Sequence, residues 1–142
     1  MMLSTILVPI DGSAPALQAL DHAIAVLKQA GGGELHLVNV QPPVDNLVTT
    51  FVGKAEVSDY HREEGMKALE PAMARCQASG ITPKLHIGVG RAGAVIAGFV
   101  KSLGAGQIVM GARGLGGAAG VLLGSVSRDV IAEAKVPVTV VK

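Results

Sequence analysis

Apolar residues recur along this chain in two alternating rhythms, short continuous runs and longer stretches with a period of three to four. Leu3 to Pro9 is a compact run centred on Ile6, Leu7 and Val8, ending at the turn Asp11-Gly12-Ser13. Ser13 is placed to cap a helix with Pro15 near its first position, and Leu17, Leu20, Ile24 and Leu27 mark that helix's buried stripe up to Gly31-Gly32-Gly33. Leu35 to Val40 predicts a second strand, apolar inside except at His36 and Asn39, as befits a sheet covered on both faces. Glu56 to Ser79 predicts a long helix with Met66, Leu69, Met73 and Cys76 on one stripe, ended by Gly80. Leu85 to Ile87 centres a third strand, and Val95, Ile96, Phe99, Val100 and Leu103 mark a third helix stopped near Gly104. Ile108 to Met110 is a fourth strand. Val126, Val130, Ile131 and Ala134 mark a fourth helix, and Val138 to Val141, opened by Pro137, is the last strand. Gln41 to Lys54 has no firm period and fits either a flap near the strand ends or a connector.

Five strands alternating with four helices predict one α/β domain over residues 1–142, a three-layer open parallel sheet with helices on both faces and right-handed crossovers. Two strand exits carry unusual turn chemistry: Pro9-Ile10-Asp11-Gly12-Ser13 after the first, and a glycine-rich stretch after the fourth. In strand order 3-2-1-4-5 those two strands are neighbours where the order reverses, the place at which open sheets bind ligands. In order 2-1-3-4-5 the third strand would separate them. The pairing of the two loops favours 3-2-1-4-5.

The glycine-rich stretch runs from Gly111 to Ser127 and holds six glycines in seventeen residues. Each glycine adds roughly 0.5–1 kcal/mol of backbone entropy that folding must remove, so such a run does not serve stability. A strand, a glycine loop and a helix start in that order make an anion site, because main-chain N–H groups can gather around a phosphate. Ser125 is the expected N-cap of the helix that follows.

Composition narrows the partners. Hydrophobic residues make up 49% of the chain while only one Tyr and two Phe are present, so aliphatic side chains must form the core. Twelve basic against eleven acidic residues, with no basic block, argue against a nucleic-acid surface. No apolar run is long enough to span a membrane, and the first residues, Met1-Met2-Leu3-Ser4-Thr5, lack a basic leader region. One cysteine allows no internal disulfide, and the expectation is a cytoplasmic protein.

Three phosphate motifs can be set aside. A Walker A loop needs Gly-Lys-Ser/Thr, yet no lysine lies between Lys101 and Lys135. Gly114-Leu115-Gly116-Gly117-Ala118-Ala119 fits G-x-G-x-x-A, but its helix starts too late and no acidic residue ends the next strand. A receiver-type phosphoacceptor at Asp11 would need an aspartate where Gly88-Val89-Gly90-Arg91 stands.

The pattern that fits is Gly111-x-x-Gly114, nine residues, then Gly124-Ser125. With Ile6-Leu7-Val8-Pro9-Ile10-Asp11-Gly12-Ser13, Leu122-Leu123-Gly124-Ser125-Val126-Ser127 and Val136-Pro137-Val138-Thr139-Val140-Val141, it makes the chain resemble the ATP-binding branch of the universal stress protein family over its whole length. The resemblance implies an adenine nucleotide alpha hydrolase-like fold and an ATP site, with Mg2+ or Mn2+ bridging phosphate oxygens. It implies that Asp11 and the Val40 backbone contact adenine, that Pro9 and Gly111 approach the ribose, and that Gly114, Gly124, Ser125, Val126 and Ser127 hold phosphates. Ile10 and Met110 complete the implied set, and Arg113 fits either a phosphate contact or a surface position. The run from Gly116 to Gly120 is richer in small residues than the family pattern and predicts a loop that orders on ligand. The resemblance further implies a homodimer through Val138–Val141, an apolar edge strand of the kind that invites pairing. The expected activity is nucleotide-responsive regulation in a stress response. The rival readings are a slow ATPase or self-phosphorylating protein, and a member of the branch that binds no nucleotide.

The other candidates read as structural. His22, His36, His61 and His86 are scattered, and His61-x-x-Glu64 is expected on a solvated helical face. Cys76 is expected to be a buried thiol on its helix's apolar stripe. No paired carboxylates and no Ser-His-Asp arrangement support hydrolysis, and no catalytic or metal-ligating residue is assigned.

Overall fold

A computed structural model describes residues 4–45, 50–115 and 122–142. The elements in chain order are β1 (Thr5–Pro9), α1 (Ala14–Gln29), β2 (Glu34–Gln41), α2 (Lys54–Ala78), β3 (Lys84–Val89), α3 (Ala92–Leu103), β4 (Gln107–Gly111), α4 (Ser125–Glu133) and β5 (Val138–Val141). All five strands are parallel, in the order β3-β2-β1-β4-β5, the arrangement expected from the two special loops.

The alternation of side chains along the strands builds two cores. Ile6, Val8, Leu35, Leu37 and Val109 face α1 and α2, where they meet Leu20, Ile24, Leu69 and Cys76. Leu7, Val38, Ile108 and Met110 point the other way, onto Ile96, Val100 and Val130 of α3 and α4. Each fully buried aliphatic side chain contributes about 1.5–3 kcal/mol, so the sheet is held from both sides with few aromatic residues. Cys76 is wholly buried, and burial pushes its thiol up to about 11, as expected of an inert structural cysteine.

The register shows where the sheet opens. β1 pairs with β2 at five positions, Thr5↔Glu34 through Pro9↔Val38. Against β4 it pairs only at Ile6↔Gln107 and Leu7↔Ile108. Beyond Leu7 the two central strands part: β1 stays with β2, while β4 runs on beside β5 to Gly111↔Val141. The crevice at the reversal is that parting.

Several local expectations change. Ser13 caps α1 as expected, accepting the Ala16 N–H at 3.3 Å. Ser125, however, is the first helical residue of α4, and Gly124 is the N-cap with no side-chain hydrogen bond. The stripe of α2 that is buried is His61, Gly65, Leu69, Ala72 and Cys76, leaving Met66 36% exposed. Gly65 explains the rotation, since a Cβ there would lie 2.7 Å from the Ile87 side chain, so this face of α2 seats directly on β3. His61 is therefore buried, not solvated. His36 and His86, fifty residues apart, also come together across β2 and β3, with Nδ1 and Nε2 at 2.9 Å and stacked rings. The expectations for Leu3, for 46–49 and for the ordering of 116–121 lie outside the described residues. No helix among the described residues is long and apolar enough to cross a membrane.

The histidine pair gives the fold a pH dependence. Burial holds both rings below the ordinary histidine value; Glu34 opposes this at His36, while His36 and Lys84 add to it at His86. Between the lowered native value and about 6.5, the unfolded chain binds more protons than the native one. Stability from the neutral pair is full above that pH and falls as the solution is acidified. Chemical denaturation should show the unfolding midpoint dropping from pH 7 to 5. The double variant His36→Leu/His86→Leu, which removes both partners together, should flatten that slope.

Candidate functional site

The crevice is built from the exits of β1 and β4. Past Pro9, the Ile10 N–H donates to the Val38 carbonyl at 2.8 Å, and the Asn39 amide donates to the Ile10 carbonyl at 2.8 Å. The Gln41 amide in turn donates to Asn39 Oδ1 at 2.6 Å, which fixes the Asn39 side chain. Asn39 is one of the two polar interruptions of the apolar β2 run, and it ties the tail of β1 to β2, away from β4.

Asp11 joins the two loops. Its Oδ1 accepts the Ser13 N–H at 2.9 Å, and its Oδ2 accepts the Leu115 N–H at 3.1 Å from the far side of the crevice. Gly114 makes this possible, since a Cβ there would stand 2.3 Å from Asp11 Oδ2. Gly111 meets a harder limit: a Cβ would lie 2.8–2.9 Å from the main chain and Cβ of Pro15, in the first turn of α1. Gly111 is demanded by backbone approach and Gly114 by the present seat of the Asp11 carboxylate, and both lie in the G-x-x-G half of the sequence pattern.

On the β4 side, the Ala112 N–H donates to the Val141 carbonyl at 2.8 Å, extending the sheet by one step. The Gly124 N–H then donates to the Ala112 carbonyl at 2.7 Å, returning the chain to the strand end and starting α4 there. Ser127 is 2% exposed, and its hydroxyl donates toward the Gly111 and Ala112 carbonyls at 2.9 and 3.0 Å. Ser127 thus fastens the first turn of α4 to β4, while Ser125 and Val126 are exposed at the helix start.

The resulting crevice has a volume of about 320 Å³. Pro9, Ile10, Asp11, Val40, Met110, Gly111, Arg113, Gly114, Gly124, Ser125, Val126 and Ser127 all line it, so the chain brings every candidate residue to one place. Ala16, Val38, Ala92, Ile96 and Leu115 line it as well and were not anticipated. Val38 could have been found from period-two alternation, since it shares a face with Val40. Ala92 and Ile96 sit one turn apart on α3 and depend on how that helix crosses the sheet, which periodicity does not give.

The floor is apolar and buried, with Ile10, Val38, Ile96 and Met110 each under 5% exposed. The rim carries the start of α4, whose first N–H groups have no intrahelical acceptor and whose Gly124 cap supplies no side-chain one. A helix N-terminus favours an anion by about 0.3–1 kcal/mol, and Arg113 adds positive charge to the same wall. An apolar slot with an amide-lined rim suits a ligand with one flat apolar part and one anionic part. Among the described residues, no group of three His, Cys, Asp or Glu is arranged to hold a metal ion.

This fold and site define an open parallel α/β protein with its crevice at the sheet reversal. The pattern of the universal stress protein family matches residues 2–142. Universal stress protein MJ0531 of Methanocaldococcus jannaschii is 34% identical over 145 residues, covering 96% of this chain and 81% of that protein. Universal stress protein YxiE of Bacillus subtilis is 29% identical, covering 99% and 100%. Among solved structures, hypothetical protein MJ0577 superposes with a TM-score of 0.85 at 31% identity, over 100% and 97% of the two chains. A universal stress protein in complex with cAMP superposes with a TM-score of 0.75 at 26% identity, over 100% and 99%. The chain belongs to the universal stress protein family.

The close approaches predict how the site fails. Gly111→Ala should destabilise the protein by about 1–3 kcal/mol, because the Pro15 backbone cannot yield. Ser127→Ala removes the one hydroxyl proton shared between the Gly111 and Ala112 carbonyls, of which Ala112 keeps the Gly124 N–H, and should cost about 0.5–1.5 kcal/mol. Urea denaturation of each variant measures both.

Proposed function

We propose that this chain binds ATP in the crevice between β1 and β4, with Mg2+ or Mn2+ carried on the phosphate oxygens, and acts as a nucleotide-responsive regulator. The observation that carries the reading is the uncapped start of α4 facing a glycine-lined rim above an apolar floor. The adenine would take the floor, with Asp11 and the Val40 backbone at its edge. The phosphates would take the rim, held by Gly114, Gly124, Ser125 and Val126, with Arg113 reaching the same charge. Ser127 would act mainly by holding that turn in place, since its hydroxyl proton is directed to β4 carbonyls. The relative solved with cAMP supports an adenine nucleotide as the ligand class. Asp11 is the one carboxylate lining the crevice among the described residues, and both its oxygens accept main-chain N–H groups. That favours binding over turnover as the primary role.

In this reading the regulator is a cytoplasmic homodimer. β5 is an edge strand with four half-buried residues and a partner on one side only, an arrangement that favours pairing with a second copy. Sedimentation equilibrium should return twice the 14.4 kDa chain mass.

Isothermal titration of nucleotide-stripped protein with Mg-ATP tests the nucleotide, and an absence of heat would remove it. Gly124→Asp separates site from fold. Position 124 has ordinary extended backbone and its nearest non-neighbour atom would lie 3.5 Å from a Cβ, so aspartate fits and caps α4. The variant should keep or gain a few tenths of a kcal/mol in stability, about 0.3, while ATP affinity falls at least about tenfold through charge repulsion.

A further inference from the structure

A second cavity lies at the β3 edge of the sheet, where α2 begins against the end of β3. It measures about 490 Å³ and shares no lining residue with the crevice. Val44, Ile87 and Val89 form its apolar side, and Lys54, His61 and Arg62 its polar side. Neither Lys54 nor Arg62 pairs with an acid among the described residues, and no acidic residue lines the cavity.

His61 makes this more than a surface hollow. The side chain is 6% exposed, and its Nδ1 is buried with no hydrogen-bond partner. A bare lone pair inside a protein costs less than a bare N–H, so the proton belongs on Nε2 of this cavity-lining ring. Among the described residues, the other buried polar side chains each have a neighbour, Ser13, Asn39 and Ser127 by hydrogen bonds and His36 by His86, although His36 Nε2 and Glu133 Oε2 also lack a hydrogen-bond partner. A buried imidazole without a partner, two unpaired cations and an apolar wall converge on one ligand chemistry.

We infer that this cavity is a binding site for a small amphipathic carboxylate, its apolar chain against Val44, Ile87 and Val89 and its carboxylate held by His61, Arg62 and Lys54. A neighbouring hollow, joined through Val44 and Val57 and bordered by Val52, Tyr60 and the acidic Glu56, extends the apolar side for the ligand's uncharged end. Val52 and Val89, which line the two hollows, stay 47% and 46% exposed, apolar surface that a bound aliphatic chain would cover.

The chain reports on this site by itself. Tyr60 is its only tyrosine, there is no tryptophan, and the Tyr60 ring lies 5.7 Å from the His61 ring. Octanoate titrated into the full-length protein should change Tyr60 emission saturably. Lys54→Gln and Arg62→Gln, both at exposed positions that do not threaten folding, should together weaken binding at least about tenfold. Octanol, the same chain without the charge, should bind at least about tenfold more weakly than octanoate. His61→Phe should lower affinity for octanoate and leave octanol unaffected. The inference is overturned if no saturable change occurs, if octanol matches octanoate, or if the double variant binds as tightly as the native chain. Displacement of octanoate by Mg-ATP would likewise overturn it by placing the fatty chain in the crevice. The nucleotide reading is tested by its own titration and stands or falls separately.

Discussion

The divergence of β1 from β4 is the constraint from which the rest follows. Two parallel strands that remained paired to their ends would close the sheet and leave no room at the reversal. Here pairing stops after Leu7↔Ile108, and each strand continues with its outer neighbour. Parallel strands do not part without replacement bonds, because buried N–H and C=O groups must be satisfied. The replacements are specific: Ile10 to Val38, Asn39 to Ile10, Ala112 to Val141 and Gly124 to Ala112. The crevice is thus a gap whose edges are already hydrogen-bonded away from it.

Asp11 then sets the width of that gap. Its carboxylate spans from the Ser13 N–H on its own loop to the Leu115 N–H on the opposite one. A carboxylate accepting main-chain N–H groups makes charge-assisted bonds, stronger than neutral ones. Gly114 permits this contact and Gly111 permits the seating of β4 against Pro15. Two loops far apart in sequence are therefore coupled through one side chain and two missing ones.

How much of this was legible depends on whether the signal was local. The strands, the helices and their order were legible because glycine and proline punctuate the runs and because the two unusual loops had to be neighbours. The candidate residues were legible for the same reason, since Pro9 to Asp11 and Gly111 to Ser127 are contiguous stretches that topology brings together. The N-cap of α4 was misplaced by one residue because serine is favoured there in general, whereas the close return of the loop to Ala112 puts Gly124 at that position. The pairing of His36 with His86 is a matter of register between β2 and β3, which no local pattern carries. The burial of His61 was hidden because α2 alternates its apolar residues imperfectly, and the small Gly65, not the large Met66, decides which face meets β3.

An uncapped helix start has a cost, and α4 shows how the fold offsets it. Nine residues are too few to form a stable helix in isolation, and a side-chain cap would ordinarily add about 1 kcal/mol. The helix is instead held from its sides. Val130 is 1% exposed in the second core, and the Ser127 hydroxyl is fastened to the end of β4. Arg91, at the start of α3, pairs with both Asp129 and Glu133 along the exposed flank. None of these contacts uses the first-turn N–H groups of α4. Stability supplied laterally by packing leaves the helix end free of side-chain partners, and that freedom is what an anion-binding rim requires.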